Sequence, residues 1–273
     1  MTRSRRLLLG AAAASLAWPA VVLAQQTRSL KDPLRLGADQ ALMESGLAAA
    51  LQRAFGRDTG VAVQLIGGLA LPLLDTLERG EIDAALTNAP EAELKLDKQG
   101  LVHDRRRIAD TALVLVGPAP KKKLPDPAGI AKMTDVAQAL QQLRDAALAA
   151  PGSVTFLTVG DGSGSHAAEQ ALWRAAKLAP AAPWYLKTPA DGTLARHARR
   201  QGAYALVERG SWLAQAGAPL AVLVEGDARM AMPVHVMRSF RVNHPAGKLF
   251  TAWITGPKGR AVVAAHRGYR APT

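Results

Sequence analysis

Short apolar runs alternate with helical stretches along almost the whole chain, and this alternation restricts the fold to α/β architecture with largely parallel sheets. A strand at residues 34–36 leads toward Glu44-Ser45-Gly46. Beyond it Leu47, Leu51 and Phe55 recur every four residues, which predicts a helix with Ser45 as N-cap and Thr59-Gly60 as its end. Strands are expected at 61–66 and 82–86, separated by the Gly67-Gly68 turn and by a helix over 72–79 that Gly80 stops. Further strands are expected at 113–116, 154–158, 204–207 and 220–224, with helices over 136–148, 165–178 and 193–200. Gly202 closes the last of these helices, and Ser211 caps a short one beyond it. Residues 232–241 read as extended, and 248–255 and 257–265 as two closing helices. Irregular segments near Gly117 and Glu225-Gly226-Asp227 are the expected crossovers between two lobes.

The first 24 residues carry a different message. Arg3, Arg5 and Arg6 precede a charge-free run over 7–23 that ends at Leu23-Ala24, the pattern of an export leader cleaved after Ala24. Trp18-Pro19 interrupts the run, which argues against a membrane span. Arg5-Arg6 before three leucines also suits the twin-arginine route. Of the 34 basic residues in the 273-residue chain, three lie in this leader with no acid beside them, so the mature charge falls from +12 to +9. Basic runs such as 105–107 and 121–123 are short and isolated, and the 12 aromatics are scattered, a pattern unlike that of a nucleic-acid binder. There is no cysteine, so an exported chain of this length must be held by core packing alone, and a lipid-anchored cysteine is excluded.

The ordered set of segments resembles the tungstate/molybdate-type periplasmic solute-binding proteins of ABC importers. Ser45-Gly46-Leu47 with Thr59-Gly60-Val61 begins it, followed by Arg79-Gly80-Glu81-Ile82-Asp83 and Asn88-Ala89-Pro90. His103-Asp104-Arg105, Val116-Gly117-Pro118 and Asp126-Pro127 come next, then Gly160-Asp161-Gly162-Ser163-Gly164-Ser165-His166 with Trp184-Tyr185-Leu186. Glu208-Arg209-Gly210 and Glu225-Gly226-Asp227 complete the order. The resemblance implies a two-lobed type II periplasmic binding protein fold with the ligand cleft between lobes. One lobe would comprise 30–116 plus 231–273 and the other 117–230. It also implies a periplasmic monomer that takes a small-molecule or oxyanion ligand to an ABC permease, without cofactor, enzymatic chemistry or nucleic acid.

A helix N-terminus offers unpaired N–H groups and a partial positive charge to an oxyanion. Two glycine-assisted helix starts, Glu44-Ser45-Gly46 and Gly162-Ser163-Gly164-Ser165, are therefore the candidate jaws of the cleft. The candidate ligand-binding residues are Asp39, Gln40, Ser45, Gly68, Thr158, Ser163, Gly164, Ser165, Asp191 and Thr193. The family's hydroxyl-rich run after the first strand falls on Ala38-Asp39-Gln40-Ala41, its second-turn threonine on Ala70, and its arginine on Val159. Charge-assisted hydrogen bonds contribute roughly 1.5–3 kcal/mol each, so their loss removes the basis for tight tungstate binding. A different small solute is expected, one whose donor-rich or cationic group pairs with Asp39 and Asp191.

Other classes leave weaker traces. Ser163, Ser165 and His166 lie close to Asp161, but the glycine spacing of a nucleophile elbow is missing, which speaks against a Ser/His hydrolase. The six histidines, at 103, 166, 197, 235, 244 and 266, show no metal-ligand spacing. A ligand-sensing or accessory binding protein without a transport role is the remaining alternative.

Overall fold

The computed structural model describes residues 26–121, 124–188, 193–215 and 219–272. The chain opens with β1 (Gln26–Thr27) and β2 (Leu34–Asp39), then α1 (Gln40–Glu44) and α2 (Leu47–Thr59). β3 (Val63–Gly68), α3 (Ala70–Arg79), β4 (Ala84–Thr87) and α4 (Pro90–Lys98) follow. A 17-residue strand, β5 (Val102–Pro118), then carries the chain into a second group of elements. These are α5 (Val136–Ala149), β6 (Phe156–Thr158), α6 (Gly164–Ala175), β7 (Tyr185–Lys187) and α7 (Leu194–Gln201). β8 (Ala205–Glu208), α8 (Arg209–Gln215) and β9 (Leu220–Val224) complete that group. β10 (Ala231–Ser239) returns, and β11 (Val242–Asn243), α9 (Pro245–Thr255) and α10 (Pro257–Ala265) end the chain.

One sheet runs β3-β2-β4-β10-β5-β8, with β9 also pairing with β5. Only β2 pairs in parallel there, with β3 and β4; β10 is antiparallel to β4 and β5, and β5 is antiparallel to β8 and β9. The sheet is therefore mixed rather than largely parallel. The reason is that β5 and β10 are long and pair with each other, and a chain leaving and re-entering through adjacent strands must run in opposite directions. The connections expected in irregular segments are made by these strands instead.

Hydrophobic patterning shows how two strands serve two cores. Ile108 and Ala109 of β5 pack with Leu36, Leu51 and Phe250, whereas Leu113 and Leu115 pack with Leu140, Trp173 and Tyr204. Val114 and Val116 point the other way, against Ala198, Leu220 and Trp212, as the two-residue period of a strand buried on both faces requires. Met232 of β10 joins the second core and Val234 the first. The expected face of α2 is realised: Leu47, Leu51 and Phe55 are fully buried, and the Phe55 ring meets Phe250 edge-on at 5.0 Å.

Local corrections have simple causes. Asp39 ends β2 and accepts from the Ala41 amide at 3.0 Å, so a helical turn begins at Gln40, ahead of the expected start. Ser45 then becomes the residue after that turn, and Gly46, with φ +82°, redirects the chain into α2. Ser211 lies inside α8 and donates to the Ala41 carbonyl at 3.2 Å, so it ties two helices together and caps none.

The two lobes touch across the cleft. The Leu71 amide donates to the Gly162 carbonyl at 3.1 Å, and Asn88 Nδ2 donates to Glu208 Oε2 at 3.2 Å. Gly164 sits so close to Asn88 that an added Cβ would lie 2.0 Å from Oδ1 and 2.6 Å from the Asn88 carbonyl oxygen. Gly164→Ala is expected to oppose closure by roughly 1–3 kcal/mol. Small-angle scattering should then read a larger radius of gyration, with the urea unfolding midpoint almost unmoved.

Candidate functional site

A cavity of about 590 Å³ lies between the lobes. The first lobe contributes Asp39, Gln40, Ala41 and Glu44 from the end of β2 and α1, with Gly68 and Leu69 from the end of β3. The second contributes Val159, Asp161, Ser163, Ser165, His166 and Glu169 around the start of α6. Lys187, Thr188, Thr193, Leu194, Glu208 and Ser211 close it. Most of these follow the carboxyl ends of strands, where open α/β sheets present loops and helix starts to a ligand.

Of the expected site residues, Asp39, Gln40, Gly68, Ser163, Ser165 and Thr193 are brought together on this lining. Ser163 caps α6 by accepting from the His166 amide at 3.1 Å, and Thr193 caps α7 and donates to Gln215 Oε1. Ser45 is not on the lining: its Oγ accepts from the Tyr269 hydroxyl at 2.9 Å and its carbonyl from His266 Nε2 at 2.8 Å. Thr158 is buried and donates to Glu169 Oε2 at 3.0 Å, so it orders an acid and faces no ligand. Gly164 is spent on the contact with Asn88. Asp191 lies outside the described residues.

Glu208 was not foreseen. It ends the four-residue apolar strand β8, and an acid at the carboxyl end of a buried strand is the signal that would have found it. Only 2 % of Glu208 and none of Asp39 is exposed. Asp39 Oδ1 accepts from Ala41, and Glu208 Oε2 accepts from Asn88. Asp39 Oδ2 and Glu208 Oε1 have no hydrogen-bond partner among the described residues. Burial, followed by the nearby Asp39 charge, pushes Glu208 up to about 8. Burial likewise pushes Asp39 up to about 6, opposed by the Ala41 and Ala70 amides. Glu44, half-buried beside them, is also raised by burial.

Among the described residues the lining is thus acidic: Asp39, Glu44, Asp161, Glu169 and Glu208 face one lysine and no arginine. Glu169 is held differently, because both its oxygens are filled by Thr158, Tyr185 and Trp173, the Tyr185 contact being 2.7 Å. His166 donates from Nδ1 to the Asp161 carbonyl at 2.6 Å, and its Nε2 accepts from Gln170 at 3.2 Å. Both ring nitrogens are engaged, so the imidazole is not paired with Ser163 or Ser165 as a hydrolytic base would be. Among the described residues, no group of three or more His, Asp or Glu side chains is placed to hold a metal ion.

A profile of the PBP superfamily domain matches residues 26–253. The chain belongs to the PBP superfamily. A candidate ABC transporter anion-binding protein of Haloferax volcanii is 28 % identical over 243 residues, spanning 85 % of this chain and 68 % of the relative. The tungstate-binding protein TupA of Peptoclostridium acidaminophilum is 25 % identical, over 85 % of this chain and 81 % of its own. The crystal structure of a tungstate ABC transporter from Geobacter sulfurreducens superposes with a TM-score of 0.72 at 28 % identity, covering 86 % of this chain and 98 % of that one. The architecture is the two-lobed α/β periplasmic binding protein fold. No helix among the described residues is long and apolar enough to cross a membrane.

The raised acids set the pH response of the ligand-free protein. Native Glu208 keeps its proton up to about pH 8, whereas an ordinary glutamate releases it above 4.5. The native state therefore binds more protons in that window, and stability falls as pH rises through it. Glu208→Gln removes this loss. The variant should melt several degrees above the unmodified protein at pH 9, at roughly 2–4 °C per kcal/mol for a chain of this size, and nearly level with it at pH 4.5.

Proposed function

We propose that this chain is the exported solute-binding component of an ABC importer, and that its ligand is a small solute other than tungstate. Residues 1–24 are the leader, removed after Ala24, and the mature protein acts in the periplasm as a monomer with lobes of 30–116 plus 231–273 and 117–230. The observation that carries the altered ligand is the lining itself, with five acidic side chains and no arginine among the described residues, Asp39 at the end of β2 and Ala41 in α1. An acid about 4 Å from a bound anion opposes it by roughly 4 kcal/mol per charge pair at an effective dielectric near 20.

The transport part of the reading is supported by relatives named as an ABC transporter anion-binding protein and as tungstate-binding proteins. Binding rather than catalysis is supported by the engaged ring of His166 and by a cleft whose lobes already meet through Ser211, Asn88 and Gly162. Solute entering the open cleft makes contacts with both lobes, and those contacts stabilise the closed form that docks on the permease.

A thermal-shift panel of tungstate, molybdate, sulfate, amino acids and amines on the mature protein tests this reading. Tungstate and molybdate at 1 mM are expected to leave the melting temperature unchanged, while at least one other solute raises it. Low-micromolar tungstate affinity by calorimetry would end the claim of an altered ligand.

A further inference from the structure

Six acids are buried in the described part of the protein: Asp39, Asp83, Glu93, Asp126, Glu169 and Glu208. Four of them have both oxygens filled. Asp83 is held by Arg28 and by the Arg35 guanidinium and amide, at 2.6–2.8 Å. Glu93 takes Thr87 and the Ala89 amide on one oxygen and Arg105 on the other. Asp126 is wrapped by the Ala128, Ile130 and Ala131 amides and the Tyr204 hydroxyl, and Glu169 by Thr158, Trp173 and Tyr185. The two that keep an unpartnered oxygen are Asp39 and Glu208, and both line the cleft cavity. An unpaired buried oxygen costs about 1–3 kcal/mol, more when charged. A fold that fills every other buried acid and leaves these two open leaves them open to something that enters the cavity.

Resting on the solute-binding reading above, we propose that the ligand is a small aliphatic amine in its protonated form, whose ammonium N–H groups bridge Asp39 Oδ2 of one lobe and Glu208 Oε1 of the other. An ammonium has several donors and a full charge, and matches two acceptors better than a neutral hydroxyl does. Among the described residues no third ligand completes a metal site. Leu69, Val159, Leu194 and Leu206 on the same lining give the carbon chain an apolar wall. Because the two acids come from opposite lobes, the ammonium acts as the tie between them: it joins the Asn88–Glu208 and Ser211–Ala41 contacts in holding the cleft shut.

Binding is also linked to a proton. Asp39 faces the Ala41 and Ala70 amides and the Asp161 and Glu44 carboxylates, and Glu208 faces Asp39, Asn88 and Glu44. Tyr269 is also near Glu208 and stays neutral, its hydroxyl pushed up by burial and by that acid. Glu169, His166 and Lys187 complete the charged or titratable lining among the described residues. With Asp39 near 6 and Glu208 near 8, the empty pair holds about one proton at neutral pH. An aliphatic ammonium, with a pKa of roughly 10, displaces that proton and keeps its own.

Isothermal titration of the mature protein with n-butylamine and with 1,4-diaminobutane tests this, using n-butanol, tetramethylammonium and tungstate as comparisons. At least one amine is expected to bind, with affinity rising tenfold or more from pH 6 to pH 8.5. Repeating the titration at pH 7 in two buffers of different ionisation enthalpy should show net proton release. Asp39→Asn and Glu208→Gln should each weaken binding at least tenfold, and Glu208→Gln should also abolish the proton release; melting curves confirm that both variants are folded. Binding of n-butanol or tetramethylammonium as tight as n-butylamine, or no amine binding at millimolar concentration, overturns the amine assignment and leaves the importer reading standing. Tight tungstate binding overturns the amine assignment together with the claim of an altered ligand, and leaves the importer reading standing.

Discussion

The antiparallel pairing of β5 with β10 is the constraint on which the rest depends. Eight residue pairs from Ala231–Ala112 to Ser239–Val102 join them, with irregularities at Val234/His235 and Val236/Arg238. Each strand contributes side chains to both cores, so the two lobes are joined through shared buried strands. The cleft is therefore a product of two strands. Its two walls, the ends of β2 and β8, are held at opposite sides of the same sheet.

Within that frame the chain treats buried charge in two ways. Asp83, Glu93, Asp126 and Glu169 are saturated by arginines, amides or hydroxyls, and they stiffen loops and helix starts. Asp39 and Glu208 are desolvated without full compensation, which lifts both and couples them. Perturbed acids in a cleft, in a protein that satisfies its other described buried acids, mark a candidate binding site.

Much of the secondary structure was legible. The four-residue recurrence of Leu47, Leu51 and Phe55 and the glycine stops at Gly60 and Gly80 returned α2 and α3 with small end shifts. The first half of β5 was not, because His103 to Arg107 is polar and charged, and its strand identity comes from pairing with β10. For the same reason the mixed sheet could not be anticipated from apolar runs alone. Among the site residues, Asp39 and Ser163 reached the cavity by their own capping geometry. Ser45 did not, since Tyr269, 224 residues away, claims its hydroxyl.

The sequence by itself determined the α/β class, the absence of disulfides and the Ala38-Asp39-Gln40-Ala41 run at the end of the first long strand. These are properties of local composition and period, which need no partner to be read. Only the tertiary structure decided that Asp39 and Glu208 share one cavity and each keep an oxygen without a partner among the described residues. Desolvation and hydrogen-bond satisfaction are set by what surrounds an atom in space, and those neighbours come from segments far apart in the chain.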